Sequence, residues 1–492
     1  MSKKIIIIGA GIGGLGLAAL LAKRGYEIEV FEALDRAGGR AGLLKEKGFT
    51  FDTGPSWYLM PEVFERYFSF FGHSADELLN LQRLTPAYKV FYENNAPLTV
   101  TGDLKQDSEM FEGVEQGAGA SLENYVQSAE QTYKIALQHF LYNDFTDKKT
   151  LAHPTILKNA HRLAYLATTT LNDYASKFVN SQPLQQILEY PMVFLGTSPF
   201  KAPAIYSLMS YLDFKQGVFY PKNGIYSLIA AIERLALQNG AKLNYNSPIS
   251  EIIVEDKMAI GVRLKNGKIF NADLVVSNAD LHFTETVALP KNSQSYPESY
   301  WQNREAGPSA LLMYLGVKGD LPQLQHHNLF FTNEWRQNFD HIFNQKTWPK
   351  NASMYICKPT QTDRSLAPKN HENVFVLVPL PAKASNENIE KFADIYLGKI
   401  AKVVDVPDFK KRIVFKRLFG PGDFAAKFNA WNGTALGMAH TLGQSAIFRP
   451  SIKSKKLNNL FYVGGGTLPG IGLPMCLISA ELVADRIAKE FA

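Results

Sequence analysis

The 492-residue chain has little of what marks many protein classes. It contains two cysteines, Cys357 and Cys476, which leaves no disulfide framework and makes a reducing cytoplasm the expected compartment. Its ten histidines form neither an HExxH motif nor a Cys/His cluster by spacing, so no metal is expected. Net charge is only +6 and no basic block accompanies it, so nucleic-acid binding is not indicated. So small an excess fits an encounter with an anionic membrane surface, and equally plain solubility. Apart from one N-terminal stretch, no apolar run reaches spanning length, and surface attachment is the remaining membrane option. That stretch, Ile5 to Ala22, is uncharged and follows Lys3-Lys4, as in a signal peptide. Its glycines, and the lack of a small-residue cleavage site followed by a mature domain, argue otherwise, and the mature protein is read as starting at Met1.

What is abundant is aromatic. Thirty-two Phe and 22 Tyr suit a large apolar ligand, although aromatics mostly fill cores. A hydrophobic content of 46% with 20% charged residues is ordinary for a globular chain, and the length predicts two intertwined domains.

The sequence is organised around its first forty residues. Ile5-Ile6-Ile7-Ile8 is a short β-branched run, Gly9-Ala10-Gly11-Ile12-Gly13-Gly14 is a glycine-rich turn, and Leu15 to Lys23 has helical spacing. Gly9 permits the turn, Gly11 lets a pyrophosphate approach the backbone, and Gly14 lets helix and strand pack closely. The helix N-terminus then offers free N–H groups to the phosphates, and Ile12 and Gly13 in the turn before it are also expected to bind the cofactor. A second strand, Tyr26 to Phe31, ends at Glu32, about 20 residues beyond the glycines, where a carboxylate takes both hydroxyls of an adenosine ribose. A 2′-phosphate would be repelled there, which argues against NADP.

Gly38-Gly39-Arg40 and Phe51-Asp52-Thr53-Gly54-Pro55-Ser56 follow. Here the sequence resembles the FAD-binding amine oxidase and carotenoid desaturase superfamily. The resemblance implies FAD as cofactor, with Gly39 passing close beneath it, Arg40 meeting its diphosphate, and Gly54 and Pro55 nearby.

Further along, Tyr88–Tyr92 and Pro97–Val100 read as a hairpin, Ser121–Tyr142 as a helix, and Pro154–Asn180 as a helical pair. The pair is either helix-helix core or a surface that dips into lipid or lines an apolar tunnel, with Leu166 to Leu171 and Tyr174 as the residues of interest. Phe194–Pro203 is a loop that resembles the one before the substrate-facing segment of bacterial phytoene-desaturase-type enzymes. Gly217–Gly224 also follows that family's pattern, with Asn223 where glycine is common, and precedes a helix over 225–239. Strands are predicted at 241–245, 248–254 and 273–279, with a hairpin about Lys265-Asn266-Gly267. In the resemblance Ile249 meets adenine through its backbone. Ser277-Asn278-Ala279-Asp280 is read as an ordinary strand-end turn without chemistry. Strands are also expected at 309–316 and, as two, within 351–381. His326-His327 sits in a polar loop and is read as a solvated pair in preference to a ligand site.

Phe419–Phe424, Gly433–Gly437 and Gln444–Pro450 follow the carotenoid desaturase pattern, so the resemblance spans nearly the whole chain. Leu460–Val463 is a final parallel strand, Gly464 to Pro474 a glycine-rich loop, and 475–489 a helix. In the family this loop lies along the flavin, which implicates Gly465, Gly466, Gly472, Leu473 and Pro474. A helix N-terminus aimed at the flavin's pyrimidine edge stabilises the negative charge of reduction by up to about 2 kcal/mol. Glycine is commoner in the family where Met475 stands, and alanine where Gly465 stands.

The expected fold is therefore α/β: a discontinuous Rossmann-like FAD-binding domain (1–90, 216–290, 446–492) with an inserted α+β substrate domain (91–215, 291–445), of which 91–215 is helical and a candidate membrane face. The resemblance implies a cytoplasmic, peripherally membrane-associated carotenoid desaturase. Such an enzyme transfers a hydride from an acyclic carotenoid to flavin N5 and passes electrons to oxygen or a quinone. A 1-hydroxycarotenoid 3,4-desaturase is favoured over a phytoene desaturase. The alternatives are a retinol saturase or amine oxidase of the same fold, or a non-enzymatic binding protein like the GDP-dissociation inhibitors. No acid or base can be assigned by spacing.

Overall fold

The structure is a computed structural model and describes residues 2–147 and 152–491. Strand β1 (Lys4–Ile8) lies at the centre of a five-stranded parallel sheet, with all four isoleucines buried. A parallel strand covered on both faces has no polar side, hence the uninterrupted β-branched run. On one flank β1 pairs with β2 (Glu27–Phe31) and then Lys242–Asn244, and on the other with Leu274–Ser277 and then Leu460–Tyr462. Pieces from the beginning, middle and end of the chain thus build one sheet. Helix α1 (Ile12–Lys23) packs against helix Tyr226–Gln238 and the C-terminal helix Leu473–Phe491. Gly16 permits the close approach to the latter, because a Cβ there would stand 2.8 Å from the Leu477 Cδ2.

A seven-stranded sheet forms the second body, in the order Ile413–Phe419, Ser309–Lys318, His371–Leu380, Met354–Cys357, His327–Phe331, Tyr88–Tyr92 and Leu98–Val100. Strand Ser309–Lys318 shows how its two faces are used. Leu311, Met313, Leu315 and Val317 join the core containing helix Ile389–Val403, whereas Ala310, Leu312 and Tyr314 join the main core. Both faces are covered, so the strand lacks the apolar/polar alternation of a half-exposed one.

Three expectations change. Residues 154–180 form three short helices rather than a pair, Pro154–Lys158, Ala160–Thr168 and Leu171–Ala175. Leu166, Leu171 and Tyr174 are buried, which makes them helix core and not lipid-facing groups. His326 and His327 are buried too, and His327 opens a strand, so the pair is not solvated. The expected boundary at residue 90 also falls inside strand Tyr88–Tyr92, whose partners all lie in the seven-stranded sheet. The hairpins at 88–100 and 258–271 form as expected. So does the left-handed backbone at Asn223, with φ +68°.

Candidate cofactor and substrate site

Strand order reverses between β1 and Leu274–Ser277, which run parallel, and in open α/β sheets ligands bind at such a switch point, outside the strands' C-terminal ends. The candidate residues gather there. Gly9 has φ +94° and takes the chain from β1 toward α1, whose N-cap is Gly11. The Gly38 N–H donates to the Ala10 carbonyl at 2.9 Å, and Gly39 lies so near that its Cβ would stand 3.6 Å from the Gly11 Cα. The glycine doublet is therefore laid directly on the fingerprint turn. Gly54 packs against the backbone of Arg40, with Pro55 half-buried beside it.

Glu32 is buried, and its two oxygens accept from the backbone N–H groups of Ala10 (2.7 Å) and Leu34 (2.9 Å). Burial raises its pKa and these amides oppose the rise. A carboxylate has about four lone-pair sites, so two remain for ligand hydroxyls. Ile249 begins a strand next to this point, since the Ser247 N–H donates to the Glu32 carbonyl at 2.8 Å.

At the other end Gly464 meets α1: a Cβ on Gly13 would come within 3.0 Å of the Gly464 Cα. The Gly464 N–H donates to the Ser479 Oγ, fixing the loop to the C-terminal helix that Leu473 and Pro474 open after Gly472 (φ +121°). A Cβ on Gly466 would stand 3.1 Å from that of Leu281. The candidate residues from the fingerprint, the doublet and the terminal loop therefore surround one crevice.

Arg40 tests what this crevice would hold. Its Nε and Nη2 are buried and without a hydrogen-bond partner among the described residues, and its nearest carboxylate oxygen is Asp280 Oδ2 at 3.8 Å. Burial lowers its pKa while Asp280 opposes the shift. A buried guanidinium with two nitrogens free of hydrogen bonds, on the residue after the glycine doublet, suits a diphosphate.

Four residues were missed by sequence reasoning. Asn278 reaches between the two glycine loops: its Nδ2 donates to the Gly9 carbonyl at 3.3 Å, and Cβ atoms on Gly11 and Gly13 would stand 2.8 and 2.9 Å from its side chain. Asp280 faces Arg40 and caps the following turn by accepting from the His282 N–H. The signal was their place just after a central parallel strand. Arg449 is buried and donates to the carbonyls of Gly465 (2.8 Å) and Thr467 (3.2 Å). Its Nη1 meets the His440 Nε2 at 3.2 Å, and the His440 Nδ1 donates to the Leu195 carbonyl at 2.9 Å. Burial, then Arg449, hold His440 well below its ordinary pKa, so it is neutral and accepts at Nε2. This relay bolts the terminal loop to the Phe194–Pro203 loop, a link no linear motif displays.

Beside Ser56 stands a packed aromatic cluster. Trp57 stacks on His327 with ring centroids 4.2 Å apart, and Tyr88, Tyr190, Phe194 and Tyr355 lie around it. A separate hollow of about 390 Å³, lined by Tyr142 and Arg486 among others, lies along the far half of the C-terminal helix and takes no part in this crevice.

Glycine loops gathered at the switch point of a parallel sheet, with a buried carboxylate at one end and a packed aromatic cluster near the other, suit the class of FAD-dependent oxidoreductases. Comparison with known proteins agrees: residues 12–488 match the model for flavin containing amine oxidoreductases, and the chain belongs to that family. It is 38% identical over 490 residues to a carotenoid 3,4-desaturase of Haloarcula japonica, covering 99% of this chain and 98% of that one. It is 33% identical over 495 residues to a zeta-carotene-forming phytoene desaturase of Myxococcus xanthus, covering 99% and 94%. In fold it resembles a putative protoporphyrinogen oxidase from Exiguobacterium, with TM-score 0.64 at 14% identity, covering 100% of this chain and 99% of that one.

Proposed function

We propose that the protein is an FAD-dependent carotenoid desaturase that adds a double bond to an acyclic carotenoid, with a 1-hydroxycarotenoid at its 3,4 position as the favoured substrate. The observation that carries this reading is end-to-end similarity to carotenoid desaturases, joined to a site where two Arg40 nitrogens free of hydrogen bonds suit the cofactor's diphosphate. FAD, when bound, supplies the hydride acceptor.

The chain's own residues do the rest. Gly9 to Gly14 and Arg40 hold the diphosphate end, and Glu32 takes the ribose. Arg449 fixes the terminal loop, with Gly465, Gly466 and Gly472, along the ring. The cluster around Trp57 and Tyr190 excludes water and aligns a rigid polyene, so positioning carries much of the rate. In this reading the three pieces of the parallel sheet form the cofactor domain, and the segments between them form the substrate domain.

A peripheral membrane location in the cytoplasm belongs to the same proposal, with oxygen or a membrane quinone taking the electrons. Among the described residues no helix is long and apolar enough to cross a membrane. Leu442, Ile447 and Phe448 are each about half exposed within one short segment, which supports contact with a lipid surface.

The test is to incubate the flavin-loaded protein with vesicles carrying a 1-hydroxycarotenoid or phytoene and record absorption. A red shift with the hydroxylated polyene is expected, and no shift with either substrate overturns the reading.

A further inference from the structure

The buried His326-His327 pair has a role that the cofactor site does not use. Antiparallel pairing sets His327 directly opposite Cys357, the last residue of strand Met354–Cys357. Residues so placed have Cβ atoms about 4.5–5.5 Å apart. One ligating atom from each of His326, His327 and Cys357 lies within 4.8 Å of the other two, and all three side chains are buried.

The hydrogen bonds select which atoms are free. The Nδ1 of His326 meets the Thr362 hydroxyl at 2.7 Å, and the Nδ1 of His327 meets the Tyr355 hydroxyl at 2.7 Å. Both Nε2 atoms are buried and have no partner among the described residues. When each Nδ1 carries the proton and donates it to its hydroxyl, each Nε2 presents a bare lone pair. Ligating histidines are oriented in this way by a partner on the other ring nitrogen.

The neighbourhood leaves more polar groups unsatisfied. The Tyr220 hydroxyl and the Asn373 Oδ1 are buried without partners among the described residues, and the Tyr220 ring lies 4.4 Å from that of His326. Cys357, Tyr220, Asn373, Asp52 and Ser56 line a cavity of about 10 Å³ that adjoins the Cys357 side of the cluster and that neither histidine lines.

We propose that His326, His327 and Cys357 form a site for one thiophilic d10 cation, Zn²⁺ or Cu⁺, which ties strands His327–Phe331 and Met354–Cys357 together beneath the Trp57 ring. Two imidazoles and a thiolate suit either ion: Cu⁺ accepts three such ligands as they stand, whereas Zn²⁺, four-coordinate in structural sites, would complete its shell with a water. Closing to bonds of about 2.0–2.3 Å requires the donors to draw together by roughly 1 Å, within reach of side-chain rotation. The cation takes the place of the Cys357 thiol proton, which leaves to solvent. The sequence expectation of no metal is reversed because strand pairing, not spacing, assembles the three donors. The role is structural: the site braces the aromatic cluster through the stacked Trp57–His327 pair.

The test is elemental analysis of the full-length, flavin-loaded protein after loading with Zn²⁺, or with Cu⁺ under anaerobic conditions, and desalting. One equivalent of one ion per chain is expected and identifies which. Loss of that equivalent is expected in Cys357→Ser and in His327→Gln, with His139→Gln, at the exposed His139–His153 contact, retaining it. Cobalt loading of the unaltered protein reports independently of variant folding, through a thiolate charge-transfer band in the near ultraviolet. Absence of both a stoichiometric ion and that band overturns the site, as does an unchanged metal content in a folded Cys357→Ser protein.

Discussion

Gly13 and Gly464, near opposite ends of the chain, touch across the crevice: a Cβ on Gly13 would lie 3.0 Å from the Gly464 Cα. Any side chain at position 13 therefore pushes the terminal loop away from α1. Gly13→Val should lower the flavin-to-protein absorbance ratio at least about tenfold, because displacing packed backbone costs more than about 1.4 kcal/mol. Gly11→Val should do the same by crowding Asn278, whose Nδ2 would be 2.8 Å from the new Cβ. Full flavin occupancy in either variant would contradict the assigned crevice.

Arg40 offers two buried nitrogens with no partner among the described residues. A charge-assisted hydrogen bond contributes about 1.5–3 kcal/mol. Arg40→Ala should thus weaken FAD binding about 10- to 150-fold, measured by titrating flavin into apoprotein. Arg40→Lys should recover only part of this, since an ammonium lacks the fork. Equal affinity for all three proteins would remove Arg40 from the diphosphate.

Asp213 is buried and accepts from the hydroxyls of Tyr190 (2.7 Å) and Tyr88 (3.4 Å). Burial lifts its pKa from 3.8 to about 7, the two tyrosines opposing the rise and Asp107 adding to it. The folded chain thus holds a proton here that the unfolded chain has released, so stability from this group is full below about pH 4 and is lost as pH rises through 7. Asp213→Asn, a mimic of the neutral acid, should flatten the fall in Tm between about pH 5 and pH 8. The difference amounts to roughly 2–4 kcal/mol. Parallel Tm curves for the two proteins would show that Asp213 ionises as freely as in the unfolded chain.

Leu442, Ile447 and Phe448 are 49, 50 and 55% exposed, and Ala446 holds a left-handed backbone (φ +47°) just before the last two. Replacing all three by serine should reduce co-sedimentation with anionic vesicles by about tenfold or more, from the lost apolar burial alone. Flavin content should stay constant. Undiminished sedimentation would move lipid contact elsewhere.

Local elements were legible where one segment carries its own signal. The isoleucine run, the fingerprint glycines and the Lys265-Asn266-Gly267 turn each declare their conformation within a few residues. His326-His327 misled because a polar pair in sequence says nothing of burial, which the pairing of His327 with Cys357 decides. Asn278, Asp280 and Arg449 were silent for a related reason. Each acts on backbone brought from another part of the chain, so its role exists only after the three sheet segments meet.

The strand Leu460–Tyr462, last of the five in the parallel sheet, sets a timetable for biosynthesis. At about 5–20 residues per second, a ribosome needs on the order of a minute to reach it after releasing β1. Until it arrives, strand Leu274–Ser277 beside the isoleucine strand presents an unpaired edge. Loading of the vitamin-derived group is then a post-translational event, and truncated polypeptides ending before residue 460 should emerge colourless.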